Sequence, residues 1–265
     1  MTVLDAVDLG RTDHRLADLT PIDLPSLEAV ARLTTRFDRK YVVDPTTVDE
    51  MIDALAGRCE VLEIDGLRTF RYSSLYFDTP DLCSYRGAAH GRRQRWKVRS
   101  RVYEEQGTCT LEVKTKTVRG QTVKERLPYD VADRRVLTTA GRAFVEERLP
   151  VEGLTSELAP VVQTAYRRST LVDRLDGSRT TIDRALTCSD PIGTCPLGFG
   201  DVVVETKSTG AATAVDKWLW RDGNRPIRIS KFCVGMALHD PTLPANRWAR
   251  VLRRHFDWEP ATRSS

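Results

Sequence analysis

No stretch of this chain approaches the roughly 20 consecutive apolar residues that cross a bilayer as a helix, so no transmembrane segment is expected. Residues 1–20 mix acidic and basic side chains and contain no apolar h-region, so no secretory signal is visible. Cysteine is sparse and scattered. Cys59, Cys83, Cys109, Cys188, Cys195 and Cys233 form no C-x-x-C pair and no Cys/His zinc pattern. Reduced thiols in a cytoplasmic protein are expected. The four histidines (His14, His90, His239, His255) show no metal-ligand spacing. A G-x-x-x-x-G-K-[ST] phosphate loop, a G-x-G-x-x-G turn after a strand and a G-x-S-x-G elbow are all missing. What remains for chemistry is cations, carboxylates and a bound metal. Those tools suit phosphoryl transfer, which needs charge neutralisation and in-line positioning more than a protein nucleophile.

The charge that is present is clustered rather than abundant. Across 265 residues, 41 Lys and Arg face 37 Asp and Glu, a net charge of only +4. Yet from Arg93 to Arg101 every second residue is basic: Arg93, Arg95, Lys97, Arg99 and Arg101. A strand sends alternate side chains to one face, so as a strand this segment gathers its cations on one side. Same-face neighbours sit roughly 7 Å apart, and at an effective dielectric of about 20 each pair repels by about 2 kcal/mol. An enclosed face would need partners of opposite sign. A solvated edge strand, charged against aggregation, is the plainer alternative for this segment alone.

The same device recurs. In 110–116, Leu111 and Val113 take one face and Glu112, Lys114 and Lys116 the other. Lys124 and Arg126 share a face in 122–127. Glu205 and Lys207 share one in 201–207, opposite Val202 and Val204. Arg179 and Asp183 align with Ile182 turned away. One apolar and one cation-rich face per strand fits a closed antiparallel barrel with a charged lumen and helices over its outside. Glu205 and Glu112 are the carboxylates best placed for a metal, because each precedes a lysine by two residues on the charged face; a simple Glu–Lys balance inside a polar lumen is the alternative for each.

The organisation expected is α+β: a poorly ordered leader over 1–24, a single domain over 25–258 and a tail over 259–265. Strands are expected at 37–43, 70–77, 92–104, 108–117, 121–130, 161–173, 179–185, 201–208 and 227–230. Helices are expected from Ser26 to Leu33, from Pro45 after the Asp44 cap, and over 138–148, 211–222 and 246–256, the last amphipathic and basic, while 81–89 is a short helix or an irregular connection.

A run of short motifs then becomes recognisable. Arg39 to Tyr41 (RKY), Tyr72 to Asp78 (YSSLYFD), Lys97 to Tyr103 (KVRSRVY), Leu111 to Lys114 (LEVK), Lys124 to Arg126 (KER), Tyr166 to Arg168 (YRR), Val204 to Lys207 (VETK) and Ser230 to Phe232 (SKF) follow one another in order. Over roughly 34–240 the chain resembles the VTC domain, the polyphosphate polymerase domain of the triphosphate tunnel metalloenzymes, related to the CYTH phosphatases. The resemblance implies an antiparallel eight-stranded β tunnel with a basic lumen. It also implies transfer of the γ-phosphate of ATP onto polyphosphate with Mn2+ or Mg2+. By motif, Lys40, Arg99, Arg101, Lys114 and Lys207 take catalytic roles. Arg95, Lys97, Lys124, Arg126, Arg168, Arg179, Arg228 and Lys231 bind substrate, Arg228 standing where a lysine is usual. Glu205 and Glu112 would hold the metal. Arg39 and Lys40 replace the Glu-x-Glu-x-Lys opening of the CYTH phosphatases, which favours the polymerase branch. A tunnel triphosphatase and a non-catalytic polyphosphate sensor are the alternatives. Nucleic acid is not expected, since only Trp96 and Tyr103 are interleaved among the basic residues. Any coupling to a membrane would need a separate membrane-protein partner, and the oligomeric state is not legible.

Overall fold

The computed structural model describes residues 3–31, 37–117, 121–149, 153–191, 197–256 and 258–261, with backbone alone at 3–9 and 197–199. In chain order the elements are α1 (Val3–Ala17), β1 (Thr20–Ile22), α2 (Leu24–Val30), β2 (Phe37–Val43), α3 (Pro45–Leu55), β3 (Cys59–Leu62), β4 (Phe70–Asp78), α4 (Cys83–Ala89), β5 (Arg95–Tyr103), β6 (Thr108–Lys116) and β7 (Thr122–Tyr129). They continue with α5 (Thr139–Glu146), β8 (Ala159–Asp173), β9 (Ser178–Ser189), β10 (Leu197–Phe199), β11 (Val202–Ser208), α6 (Ala214–Arg221), α7 (Lys231–His239) and α8 (Ala249–Phe256). Eight strands follow the path β2-β11-β9-β8-β4-β5-β6-β7, with β1, β3 and β10 attached beside it. β11 runs antiparallel to β2 and β9, β5 to β4 and β6, and β6 to β7. The α+β class and the eight-stranded antiparallel sheet expected from the sequence are present, but among the described residues the sheet is not strictly closed into the expected barrel.

The chain forms two compact units. One comprises Met1–Arg71, Tyr166–Leu186 and Gly198–Arg228; the other comprises Tyr72–Ala165, Thr187–Leu197 and Ile229–Ser265. In the first, the apolar faces of β2, β9 and β11 (Tyr41, Val43, Ile182, Val202, Val204) pack against Val48, Met51, Ile52 and Leu55 of α3 and Val215 and Leu219 of α6. The α3 positions recur at helical spacing, which turns one stripe inward. Asp44 caps this helix, its carboxylate accepting from Thr47 N at 2.8 Å, and Pro45 opens it. Burying each large apolar side chain contributes about 1.5–3 kcal/mol.

The second unit repeats the scheme. Leu75 and Phe77 of β4, Trp96 and Val98 of β5, and Leu111 and Val113 of β6 form a core with Leu137, Val145 and Leu158. Elsewhere in this unit α4, α7 and α8 meet through aromatic rings. Tyr76 stacks on Phe232 at 5.0 Å, Phe232 meets Tyr85 edge-on at 6.2 Å, and Tyr85 lies 5.8 Å from Trp248. No helix among the described residues is long and apolar enough to cross a membrane.

Four local expectations are corrected. The leader carries α1 and β1; Leu16 and Leu19 are buried in the first core, and the Thr12 hydroxyl donates to Asp49 at 2.6 Å. α2 begins at Leu24 because Asp23, not Ser26, supplies the capping carboxylate, and it ends at Val30. Residues 227–230 form no strand: the Ile227 N–H makes one bond, to the Lys40 carbonyl at 2.7 Å, and Ser230 then caps α7. α7 itself was not expected. Phe232, Cys233, Val234, Gly235, Met236 and Ala237 are all buried, so the helix shows no polar face and no readable period.

Candidate functional site

Strand alternation in β5 sets the site of the second unit. Trp96, Val98, Ser100 and Val102 are buried on one side. Arg95, Lys97, Arg99 and Arg101 take the other, while Arg93 precedes the strand and is exposed. Register then brings β6 and β7 alongside: Arg99 is opposite Glu112, and Glu112 is opposite Arg126. Lys97 is opposite Lys114, and Lys114 is opposite Lys124.

Glu112, 1% exposed, is the hub. Its Oε2 accepts from Arg99 Nε at 2.6 Å, and its Oε1 from Arg126 Nε at 3.1 Å and from Lys124 Nζ at 2.5 Å. Burial pushes the Glu112 pKa up, but Arg99, Arg101 and Lys124 outweigh it and hold the carboxyl well below the usual range. Lys124 is driven well below an ordinary lysine by burial and by Arg99, with Glu112 opposing. Both carboxylate oxygens of Glu112 are thus occupied by cations, the geometry of a charge-balancing group rather than an open metal ligand.

The rest of this face is held by aromatics and hydroxyls. Arg101 Nε donates to Ser74 at 3.1 Å and its guanidinium lies 5.4 Å from the Tyr72 ring. Arg99 donates to the Tyr76 hydroxyl at 3.0 Å. Lys97 Nζ donates to Ser230 at 2.7 Å and sits 5.4 Å from the Phe232 ring. Ser230 immediately precedes Lys231, the first residue of α7. Lys114 is exposed on the same side of β6.

In the first unit, Glu205 pairs in register with Lys40 of β2 and Thr181 of β9, and Lys207 with Asp38 and Arg179. Cross-strand partners share a face, so Lys40, Arg179, Glu205 and Lys207 are brought together. Glu205 Oε1 lies 3.6 Å from Lys207 Nζ. Burial drives the Lys207 pKa down to about 8 against the pull of Glu205, with Arg168 and Arg179 adding to the fall. Arg168 grips Asp183 bidentately at 2.6 and 2.8 Å. Arg228 is exposed, one residue beyond the Ile227 tether to Lys40. Arg39, neighbour of Lys40, points to the opposite face and bonds Asp216 at 3.2 Å and the Gly210 carbonyl at 2.8 Å.

A divalent metal fits the first unit on its donor chemistry. Mg2+ and Mn2+ take hard oxygen ligands, often one or two carboxylates with substrate phosphates supplying the rest. Glu205 offers such a carboxylate, and directly across the ladder the buried Thr181 hydroxyl has no hydrogen-bond partner. Among the described residues no cluster of three or more His, Cys, Asp or Glu gathers around a common point. Sequence reasoning missed Asp183, Ser230 and Tyr76 as site neighbours. Only the alignment of Asp183 with Arg179 was legible; the other two depend on contacts made by α7 and β5.

Solved structures similar to this one include a candidate adenylate cyclase from Bacillus halodurans (15% identity, TM-score 0.46, covering 73% of this chain and 92% of that one). Another is a Hippeastrum candidate adenylyl cyclase described as having dominant triphosphatase activity (16% identity, TM-score 0.48, 77% and 96% covered). A third is a protein from Pyrococcus horikoshii (14% identity, TM-score 0.44, 77% and 98% covered). No curated protein matches the chain. The family model of the VTC domain matches residues 35–239, a span that holds every charged strand residue described above. With most of its length and both charged faces inside that match, the chain belongs to the VTC domain family.

Proposed function

We propose that the protein is a metal-dependent polyphosphate polymerase that transfers the γ-phosphate of ATP to a growing polyphosphate chain bound along its basic strand faces. The observation that carries the reading is the excess of partly enclosed cations over carboxylate on β5, β6 and β7. Glu112 neutralises part of that charge, and the alternating cations of β5 with Lys114 of β6 on the same face suit a polyanion. Arginine engages phosphate oxygens in pairs and lysine as a point charge.

In this reading Lys40 and Lys207 on the strand face of the first unit, and Arg99, Arg101 and Lys114 on that of the second, take catalytic roles by binding phosphate and neutralising the charge that builds on its oxygens. Arg95, Lys97, Lys124, Arg126 and Lys231 bind the remaining phosphates in the second unit. Arg168, Arg179 and Arg228 do so in the first unit. Glu205, with the Thr181 hydroxyl across the ladder, would hold Mn2+ or Mg2+, which when bound neutralises phosphate charge. A terminal chain oxygen forms the new bond to the γ-phosphorus as the bond to the bridging oxygen breaks, and ADP leaves with that electron pair. The reading places the activity in the cytoplasm, where ATP is the donor.

Incubation of the purified protein with ATP and Mn2+, followed by gel analysis, tests this. Long phosphate chains are expected. Phosphate release without chains would instead make it a triphosphatase, and binding without turnover a sensor. Glu205→Gln is expected to abolish turnover while leaving polyphosphate affinity within about twofold; survival of activity would refute the metal assignment.

A further inference from the structure

The C-terminal helix α8 lies beyond the span matched by the family, and its charge is unused by the site above. It carries Arg250, Arg253 and Arg254 with no acidic residue between Ala249 and Phe256. Positions three and four apart share a helix face, and all three arginines are exposed. The opposite stripe is already satisfied: Val251 and Leu252 are buried, as are the flanking Trp248 and Trp258. Arg247, one helical turn before Arg250, lies against Gly91, where an added Cβ would collide with its guanidinium. Gly91 is followed by the exposed Arg92 and Arg93, which lead directly into Arg95 and Lys97 of β5. The loop 91–94 therefore runs from the Arg247 contact, two residues before α8, into the cationic strand β5 within one unit.

We infer that the α8 arginines, with Arg92 and Arg247, form a second polyanion site that holds the distal part of an inorganic polyphosphate chain whose end lies on β5. The inference rests on the polyphosphate reading of the strand faces. Chemistry favours a phosphate chain over a lipid surface. An interfacial helix must offer a broad apolar face to the bilayer, whereas Val251 and Leu252 of α8 are buried in the fold and Phe256 is half-buried. Guanidinium groups, by contrast, pair with successive phosphates.

Binding should be measured for tripolyphosphate, for long-chain polyphosphate and for phosphatidylserine vesicles, with wild type and Arg250→Ser/Arg253→Ser/Arg254→Ser. The triple variant is expected to bind long chains at least tenfold more weakly, bind tripolyphosphate within twofold of wild type, and keep its thermal unfolding profile. Arg247→Ala is expected to weaken only long-chain binding, and it serves if the triple variant does not fold. Equal long-chain affinity in wild type and variants would overturn the α8 site while leaving the strand site intact. Vesicle binding lost in the variants with long-chain binding unchanged would do the same and reassign the face to lipid. Equal competition by a single-stranded oligothymidylate of matched charge would overturn the phosphate-chain assignment. Failure of wild type to bind tripolyphosphate or long chains at all would instead refute the polyphosphate reading.

Discussion

Glu112 shows how one side chain sets the charge balance of a whole face. Its carboxylate is buried and shared by Arg99, Lys124 and Arg126. Removing one partner of a buried ion pair costs about 3–5 kcal/mol, because the remaining charges stay desolvated. Glu112→Gln is therefore expected to lower stability at pH 7 by about 3 kcal/mol, seen as a lower denaturant midpoint. The fold favours the ionised form, so its stabilisation is present above the ordinary carboxyl pKa of about 4.3 and is lost as pH falls toward the depressed native value. The gap between wild type and variant should shrink in acid below about pH 4. A variant as stable as wild type at pH 7 would show that the three cations do not depend on Glu112. Lys207 sits in the reverse situation: burial disfavours its ammonium and brings its pKa down to about 8, with Glu205 opposing the fall.

At the scale of elements, the position of Lys40 and Lys207 depends on a network behind their strands. Asp216 of α6 is buried; its Oδ1 accepts from Tyr41 and Thr206, both at 2.7 Å. Its Oδ2 accepts from Arg39 at 3.2 Å and from Thr213 N at 2.8 Å. Thr213 completes a capping box with Asp216, so one carboxylate caps α6 and pins it to β2 and β11. Burial and the neighbouring Asp216 together raise the Tyr41 pKa and keep its proton in place as a donor. Thr213→Ala is expected to cost about 1 kcal/mol, the usual value of a lost cap. Asp216→Ala should cost at least about 3 kcal/mol, because it removes the charge partner of the half-buried Arg39 and leaves the buried Tyr41 and Thr206 hydroxyls without their acceptor. Chemical denaturation of both variants checks the ranking, and equal losses would mean that the cap alone fastens α6.

For the whole molecule, a net charge of +4 is too small to attract polyanions over long distances, so recognition depends on local clusters. Each neutralised phosphate releases counterions, and a chain contacted by five or more side chains should lose affinity with salt at a log–log slope of about −3 or steeper. Titrating long-chain polyphosphate between low and high NaCl measures that slope. A flat dependence would refute ion-pair recognition.

How much of this was legible from the residues alone follows from the range of each interaction. Strand alternation is a local property with a period of two, so the basic face of β5, the Glu112 and Lys114 face of β6 and the Glu205 and Lys207 face of β11 could be read directly. The Asp44 and Pro45 start of α3 was legible for the same reason. By itself the sequence determined which side of each strand is charged. Only the tertiary structure decided that Glu112 is shared by Arg99, Lys124 and Arg126, that Arg39 turns away from Lys40 to hold Asp216, and that α7 brings Ser230 to Lys97. Those choices depend on strand register and on contacts between residues up to 177 positions apart, which no local pattern encodes.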